Sequence, residues 1–137
     1  MSAQDAIFTG QDLVHAYTRA EAIADGYLVE APEHLAREVG FTVPVAVTRS
    51  AFEDCIAWDK ALDGPFQEES ARFFDVLYMA AFFARAQARG ASQFEMEVSR
   101  VVRGQLPRGP RSARLKVTVG PGDNAEPVIT IGQLDED

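Results

Sequence analysis

The chain has 137 residues, a formal charge of −8, nine phenylalanines and a single cysteine, Cys55. That length fits one domain, which buries roughly 68% of the surface its unfolded chain exposes, so no staple is needed. One cysteine excludes an internal disulfide and fits a reducing compartment.

Residues 1–16 have weak periodicity and read as an N-terminal arm. They show no cationic region followed by an apolar stretch, so no secretion signal is visible. The most apolar run, Val76 to Ala84, is far short of the ~20 residues that span a bilayer. A soluble cytoplasmic protein is expected.

From residue 17 a single α+β domain is predicted to run to 132, followed by a mobile acidic tail, 133–137. Thr18 offers a hydroxyl to cap a helix that Asp25-Gly26 ends. Tyr27 to Glu30 reads as extended. Pro32 suits the first position of a helix that carries Leu35, Ala36 and Val39 on one face and stops at Gly40. Phe41 to Val47 is rich in β-branched residues, but Pro44 restricts such a strand to an edge or a bulge.

Ser50 and Glu53 have capping-box spacing. The helix they open would align Phe52, Cys55, Ile56 and Leu62, and Asp63-Gly64-Pro65 would break it. The longest helix is predicted over about 68–88. Phe73, Phe74, Val76, Leu77, Tyr78, Met79, Phe82 and Phe83 cover more than one of its stripes, so it is either central or presents a second face to a partner. Alternation then switches to period two at Phe94-Met96-Val98, at Leu115-Val117-Val119 and at Val128 to Ile131. The expected fold is three to four helices followed by a three-stranded antiparallel meander packed on the long central helix.

Charge divides the chain. Residues 1–75 hold 14 acidic and 5 basic groups, whereas 76–134 hold 4 acidic and 8 basic. Arg100, Arg103, Arg108, Arg111, Arg114 and Lys116 lie in a stretch with no acidic residue, and pairing of its flanks would make a basic hairpin. Guanidinium groups there suit an acidic protein patch, or RNA or DNA, by paired hydrogen bonds. The competing reading is a solvated edge ribbon. No aromatic platform accompanies these residues, which disfavours nucleic acid.

Glu53, Asp54, Asp59, Asp63, Glu68, Glu69 and Asp75 form the mirror candidate. On one surface they would imitate a duplex, with about one charge per 1.7 Å of axis; ordinary solvation of helices is the plainer account. Trp58 lies at the margin of an apolar face, a core residue or an interface aromatic.

No catalytic, metal or cofactor signature stands out. His15 and His34 lack ligand spacing, and Cys55 reads as a buried structural thiol. Gly120-Pro121-Gly122-Asp123 lacks the Gly-Lys-Ser/Thr ending of a phosphate loop and reads as a turn, with Asp123 and Asn124 bonding locally.

Three stretches carry a resemblance. They are Tyr17-Thr18-Arg19-Ala20-Glu21-Ala22-Ile23-Ala24-Asp25-Gly26-Tyr27-Leu28-Val29-Glu30, Gly40-Phe41-Thr42-Val43-Pro44-Val45-Ala46-Val47-Thr48, and Gly120-Pro121-Gly122-Asp123 leading to Glu126-Pro127-Val128-Ile129-Thr130-Ile131. Together they resemble an uncharacterised family of small bacterial proteins, over roughly residues 17–131. Members tend to sit on plasmids, integrative elements and phages. The resemblance implies a mobile-element accessory protein, non-catalytic, that inhibits a host nuclease-based defence (of anti-CRISPR or anti-restriction type) by protein binding or DNA mimicry. The alternatives are an RNA- or DNA-binding module using the basic hairpin, and an enzyme of unrecognised type. A protein partner is expected and no membrane, with self-association left open.

Overall fold

A computed structural model describes residues 17–104 and 109–136 of the chain. In order the elements are α1 (Arg19–Ala24), β1 (Leu28–Glu30), α2 (Glu33–Glu38), β2 (Val45–Thr48), α3 (Arg49–Cys55), α4 (Lys60–Asp63), α5 (Glu69–Arg85), β3 (Gln93–Arg100), β4 (Arg111–Pro121) and β5 (Pro127–Gln133). The fold is α+β. Its sheet has five strands, however, in the order β1-β2-β5-β4-β3.

The three-stranded meander is therefore corrected to a mixed sheet. β3, β4 and β5 pair antiparallel in succession. β2 then joins β5 in parallel, and β1 closes the far edge antiparallel to β2. Pro44 explains how a proline-bearing segment sits inside the sheet. The strand begins one residue later, and the Pro44 carbonyl accepts the Ile129 N–H at 2.9 Å. The missing N–H falls just ahead of the ladder, so no edge position is required.

One face of the sheet is apolar. Phe94, Met96 and Val98 stand in register with Val117, Leu115 and Ala113, and Val117 continues through Ile131 to Val47. Against them α5 lays Phe73, Val76, Leu77, Ala80 and Ala81, with α3 adding Ala51, Phe52 and Cys55. Each fully buried Leu or Ile side chain here contributes about 1.5–3 kcal/mol. The opposite face is polar: Gln93, Glu95, Glu97 and Ser99 on β3, and Ser112, Arg114, Lys116 and Thr118 on β4.

Several local expectations change. Thr48, not Ser50, caps α3, its hydroxyl accepting the Ala51 N–H at 3.3 Å. The expected helix through Leu62 is two short helices, and Leu62 is exposed. Residues 56–59 leave the helix because Asp59 starts a new cap, its carboxylate accepting the Ala61 N–H. Pro32 precedes α2 rather than opening it.

At Thr18 the cap is a full capping box with Glu21. Asp123 does not bond locally: its carboxylate oxygens accept the Arg19 and Ala20 N–H groups at 2.8 and 3.0 Å, capping α1 from the far end of the sheet. The tail is pinned through Glu136, whose carboxylate accepts from Thr48 Oγ1 and Gln133 N, both at 2.7 Å. Among the described residues no helix is long and apolar enough to cross a membrane.

Candidate functional site

The two charged groups of the sequence meet in space. Arg100, at the end of β3, pairs with Asp54 of α3 at 3.0 Å. Arg103 bridges Glu53 and Asp63 at 2.9 and 2.8 Å. Arg114 pairs with Glu95 across the β3–β4 ladder. The backbone N–H of Asp59 and then the Arg103 guanidinium hold the Asp63 carboxyl below its usual range, and Asp63 raises Arg103 in turn.

Of the remaining acidic candidates Asp59, Glu68 and Glu69 are engaged locally, whereas Asp75 of α5 lies within reach of the Arg72 charge. Glu68 pairs with Lys60 at 2.6 Å, and Glu69 accepts the Trp58 N–H at 3.2 Å. Arg111 is exposed opposite Arg100, Lys116 lies opposite Glu95, and Arg108 falls outside the described residues. The expected separation into a free basic hairpin and a free acidic face is thus replaced by internal pairs that staple the end of β3 to α3 and α4. Nor is Trp58 offered to a partner: it is buried, its indole N–H donating to Gly64 O at 2.7 Å.

Under that indole lies Arg72 of α5, a residue absent from the sequence candidates. Its guanidinium stacks 4.8 Å from the Trp58 ring centroid and is 3% exposed. Nε donates to Ile56 O at 2.9 Å and Nη1 to Val101 O at 3.0 Å, while Nη2 is buried without a partner. Burial pulls its pKa down. Arg72 sits one turn before Val76 on the buried stripe, and a charged residue in that register was the available signal.

Concavities border these elements among the described residues. One of about 700 Å³ lies between β1, α2 and the loop before β2, with Phe41, Val43 and Pro44 in its wall. The Glu33–Arg37 pair, 2.7 Å apart, borders it. A second cavity of about 40 Å³ is lined by Cys55, Arg72, Asp75, Met79, Val98 and Arg100, among others. Burial, and then the charge of Asp54, push the Cys55 thiol up to about 12, so it is protonated and inert.

The third concavity, a groove of about 520 Å³, follows the outer side of β3 and shares Asp75, Met79, Val98 and Ser99 with the second. Tyr78 forms its helical wall. Tyr78 and Phe82, one turn apart, are 51% and 55% exposed, and the Phe74 ring lies 6.1 Å from that of Tyr78. Beside its buried stripe the long helix thus carries exposed aromatic residues, of which Tyr78 lines the groove next to β3.

That edge is open among the described residues. The Ser92 carbonyl accepts the Val119 N–H at 2.8 Å, which marks Ser92 and Val119 as a hydrogen-bonded pair. By alternation Phe94, Met96, Val98 and Arg100 bond to β4, and Gln93, Glu95, Glu97 and Ser99 aim N–H and C=O outward.

The model of a family of unknown function, DUF6573, matches residues 4–137. The chain belongs to that family. The match starts at residue 4 and ends at 137, so the similarity extends beyond the 17–131 legible from the three motifs. Neither a curated protein nor a solved structure matches the chain.

Proposed function

We propose that this protein is a non-catalytic binding protein that takes an extended strand of a partner protein along β3, beneath the aromatic side chains of α5. The observation that carries this reading is the eight-residue edge strand, with four outward N–H and C=O pairs, beside a groove that has exposed Tyr78 of α5 in its wall. Strand addition uses those main-chain groups for affinity and alternate side-chain pockets for choice of partner. Large aromatic side chains beside the edge supply the apolar area to be covered.

A second copy of the chain is a poor occupant. Antiparallel self-pairing of β3 sets Glu95 against Glu97, and like charges directly opposite repel. The finer reading, an inhibitor of a host nuclease-based defence encoded on a mobile element, rests on the resemblance and is proposed to work by protein contact. DNA mimicry is the weaker version, since Glu53, Asp54, Asp63 and Glu68 are already paired. Nucleic-acid binding by the hairpin loses Arg100, Arg103 and Arg114 in the same way.

The test is capture of partners from host lysate by the unaltered chain, by Glu97→Pro and by Tyr78→Asp/Phe82→Asp. Proline at 97 removes an outward N–H and leaves the β3–β4 ladder intact. A partner retained by the unaltered chain and lost by both variants, with unchanged circular dichroism, supports the groove. A nuclease or targeting-complex subunit in that position supports the finer reading. Equal capture by all three refutes strand addition at β3.

A further inference from the structure

The small cavity at the end of the groove has the chemistry of an anion site. Two of its lining residues, Arg72 and Arg100, each carry a buried donor with no partner: Nη2 of Arg72 and Nε of Arg100. Buried N–H donors left unmatched are rare in folded proteins and call for an occupant. Arg72 is also a buried cation whose bonds go only to main-chain carbonyls, and among the described residues no carboxylate lies within ion-pair distance of it. Arg100 differs, because Asp54 takes its Nη2 and the carbonyls of Arg111 and Ser112 take its Nη1. Only Nε is left over on that side.

Size limits the ligand. About 40 Å³ exceeds one water's share of liquid volume, about 30 Å³, and admits a carboxylate head but not a whole metabolite. The rest of the molecule would leave through the wall shared with the groove, formed by Asp75, Met79, Val98 and Ser99. We propose that Arg72 and Arg100 form a carboxylate-binding site at the end of the β3–α5 groove, which receives the carboxylate of an extended polypeptide paired with β3. Guanidinium N–H groups match carboxylate oxygens in geometry and charge. Asp75 stands at the shared wall and opposes an anion there, which favours a ligand whose backbone is also held by the edge strand. The inference rests on the groove reading for the peptide, and on the two orphan donors for the carboxylate.

The test uses acetate as the probe, with acetamide as the uncharged control and chloride to hold ionic strength. The Arg100 Nε–H and Arg72 guanidinium resonances are followed by NMR on the full chain. A saturable shift is expected with acetate in the millimolar range, up to about 100 mM, as suits so small a ligand; none is expected with acetamide. Arg72→Met should weaken acetate at least about tenfold, the loss of one charge-assisted bond.

If Arg72→Met does not fold, Met79→Trp, which fills the shared wall, must abolish the response with both arginines present. Persistence of acetate binding in Met79→Trp overturns the proposal. So does the lack of any saturable shift in the unaltered chain, or a long-lived water retained between the two guanidinium groups at the highest acetate concentration.

Peptides ending in a free acid, set against amidated peptides with internal Asp or Glu, distinguish a chain terminus from an acidic side chain. Capture unchanged in Glu97→Pro with the acetate shift intact sinks the groove and leaves the anion site standing; capture lost in Glu97→Pro with no acetate shift in the unaltered chain sinks the anion site and leaves the groove standing.

Discussion

Replacing Arg72 with Met tests how far one buried guanidinium organises this fold. The methionine stem keeps much of the packing beneath Trp58 but removes the donors to Ile56 O and Val101 O. Hydrogen bonds from a charged group contribute about 1.5–3 kcal/mol each, and the stacking on the indole adds about 0.5–2 kcal/mol. Against this, the substitution relieves the unmatched Nη2 and a buried charge, worth about 1–3 kcal/mol. Taking the middle of each range, the net expectation is a destabilisation of about 4 kcal/mol, or a fall in Tm on the order of 10 °C for a chain of this size.

Urea titration followed by fluorescence of Trp58, the sole tryptophan, reads the change directly, and an unchanged m-value confirms that the same surface is being exposed. Arg37→Met is the control: its pair with Glu33 is exposed on both sides, and its loss should cost under about 0.5 kcal/mol. Should Arg72→Met match the unaltered chain within about 0.5 kcal/mol, well under the worth of one charged hydrogen bond, the guanidinium does not tie α5 to Ile56 and Val101.

Further outcomes follow from other contacts. Asp123→Ala removes the remote cap of α1 and should cost about 0.5–2 kcal/mol; hydrogen exchange should speed up at the Arg19 and Ala20 amides before the sheet is affected. Cys55, with its thiol pushed up to about 12, should resist disulfide-exchange reagents at pH 8 in the folded chain and react at the rate of unfolding, and immediate labelling would contradict its burial. For acid, the carboxyls of Asp63, Glu68 and Glu136 lie below their usual values. Asp63 accepts backbone and Arg103 bonds, and Lys60 holds Glu68. At Glu136 burial alone would raise the value, but the bonds from Gln133, Thr48 and Ser50 outweigh it. Their contribution is present above the unfolded carboxylate values near 4 and fades as pH falls through the lower folded ones. Asp75, raised by burial, acts in the opposite sense. Urea midpoints from pH 7 to 2 should therefore fall below about pH 4, and a midpoint rising in that window would refute the assignment.

Chemistry that acts within a few residues was readable in advance. Thr18 capping α1, the helix stops at Gly26 and Gly40, and the period-two alternation of β3 and β4 depend on neighbours close along the chain, so residue type and spacing determined them. The long helix with an extra apolar face was legible for the same reason: its periodicity is a property of the segment itself.

Contacts between distant segments were not. Nothing local to Val45–Thr48 says that it pairs in parallel with a strand more than eighty residues later, since β propensity is silent about partner and direction. The charge split is a property of the linear sequence, yet folding cancels much of it, because Arg100 and Arg103 reach Asp54, Glu53 and Asp63 only when β3 ends beside α3 and α4. The same closure gathers Arg72, Arg100 and Asp75 around one cavity and leaves the outer edge of β3 unpaired. Linear order determined which pieces form, and only the sheet's long-range pairing decided which charges are cancelled and which donors are left over, because Coulomb and hydrogen-bond energies fall off within a few ångströms of space rather than of sequence.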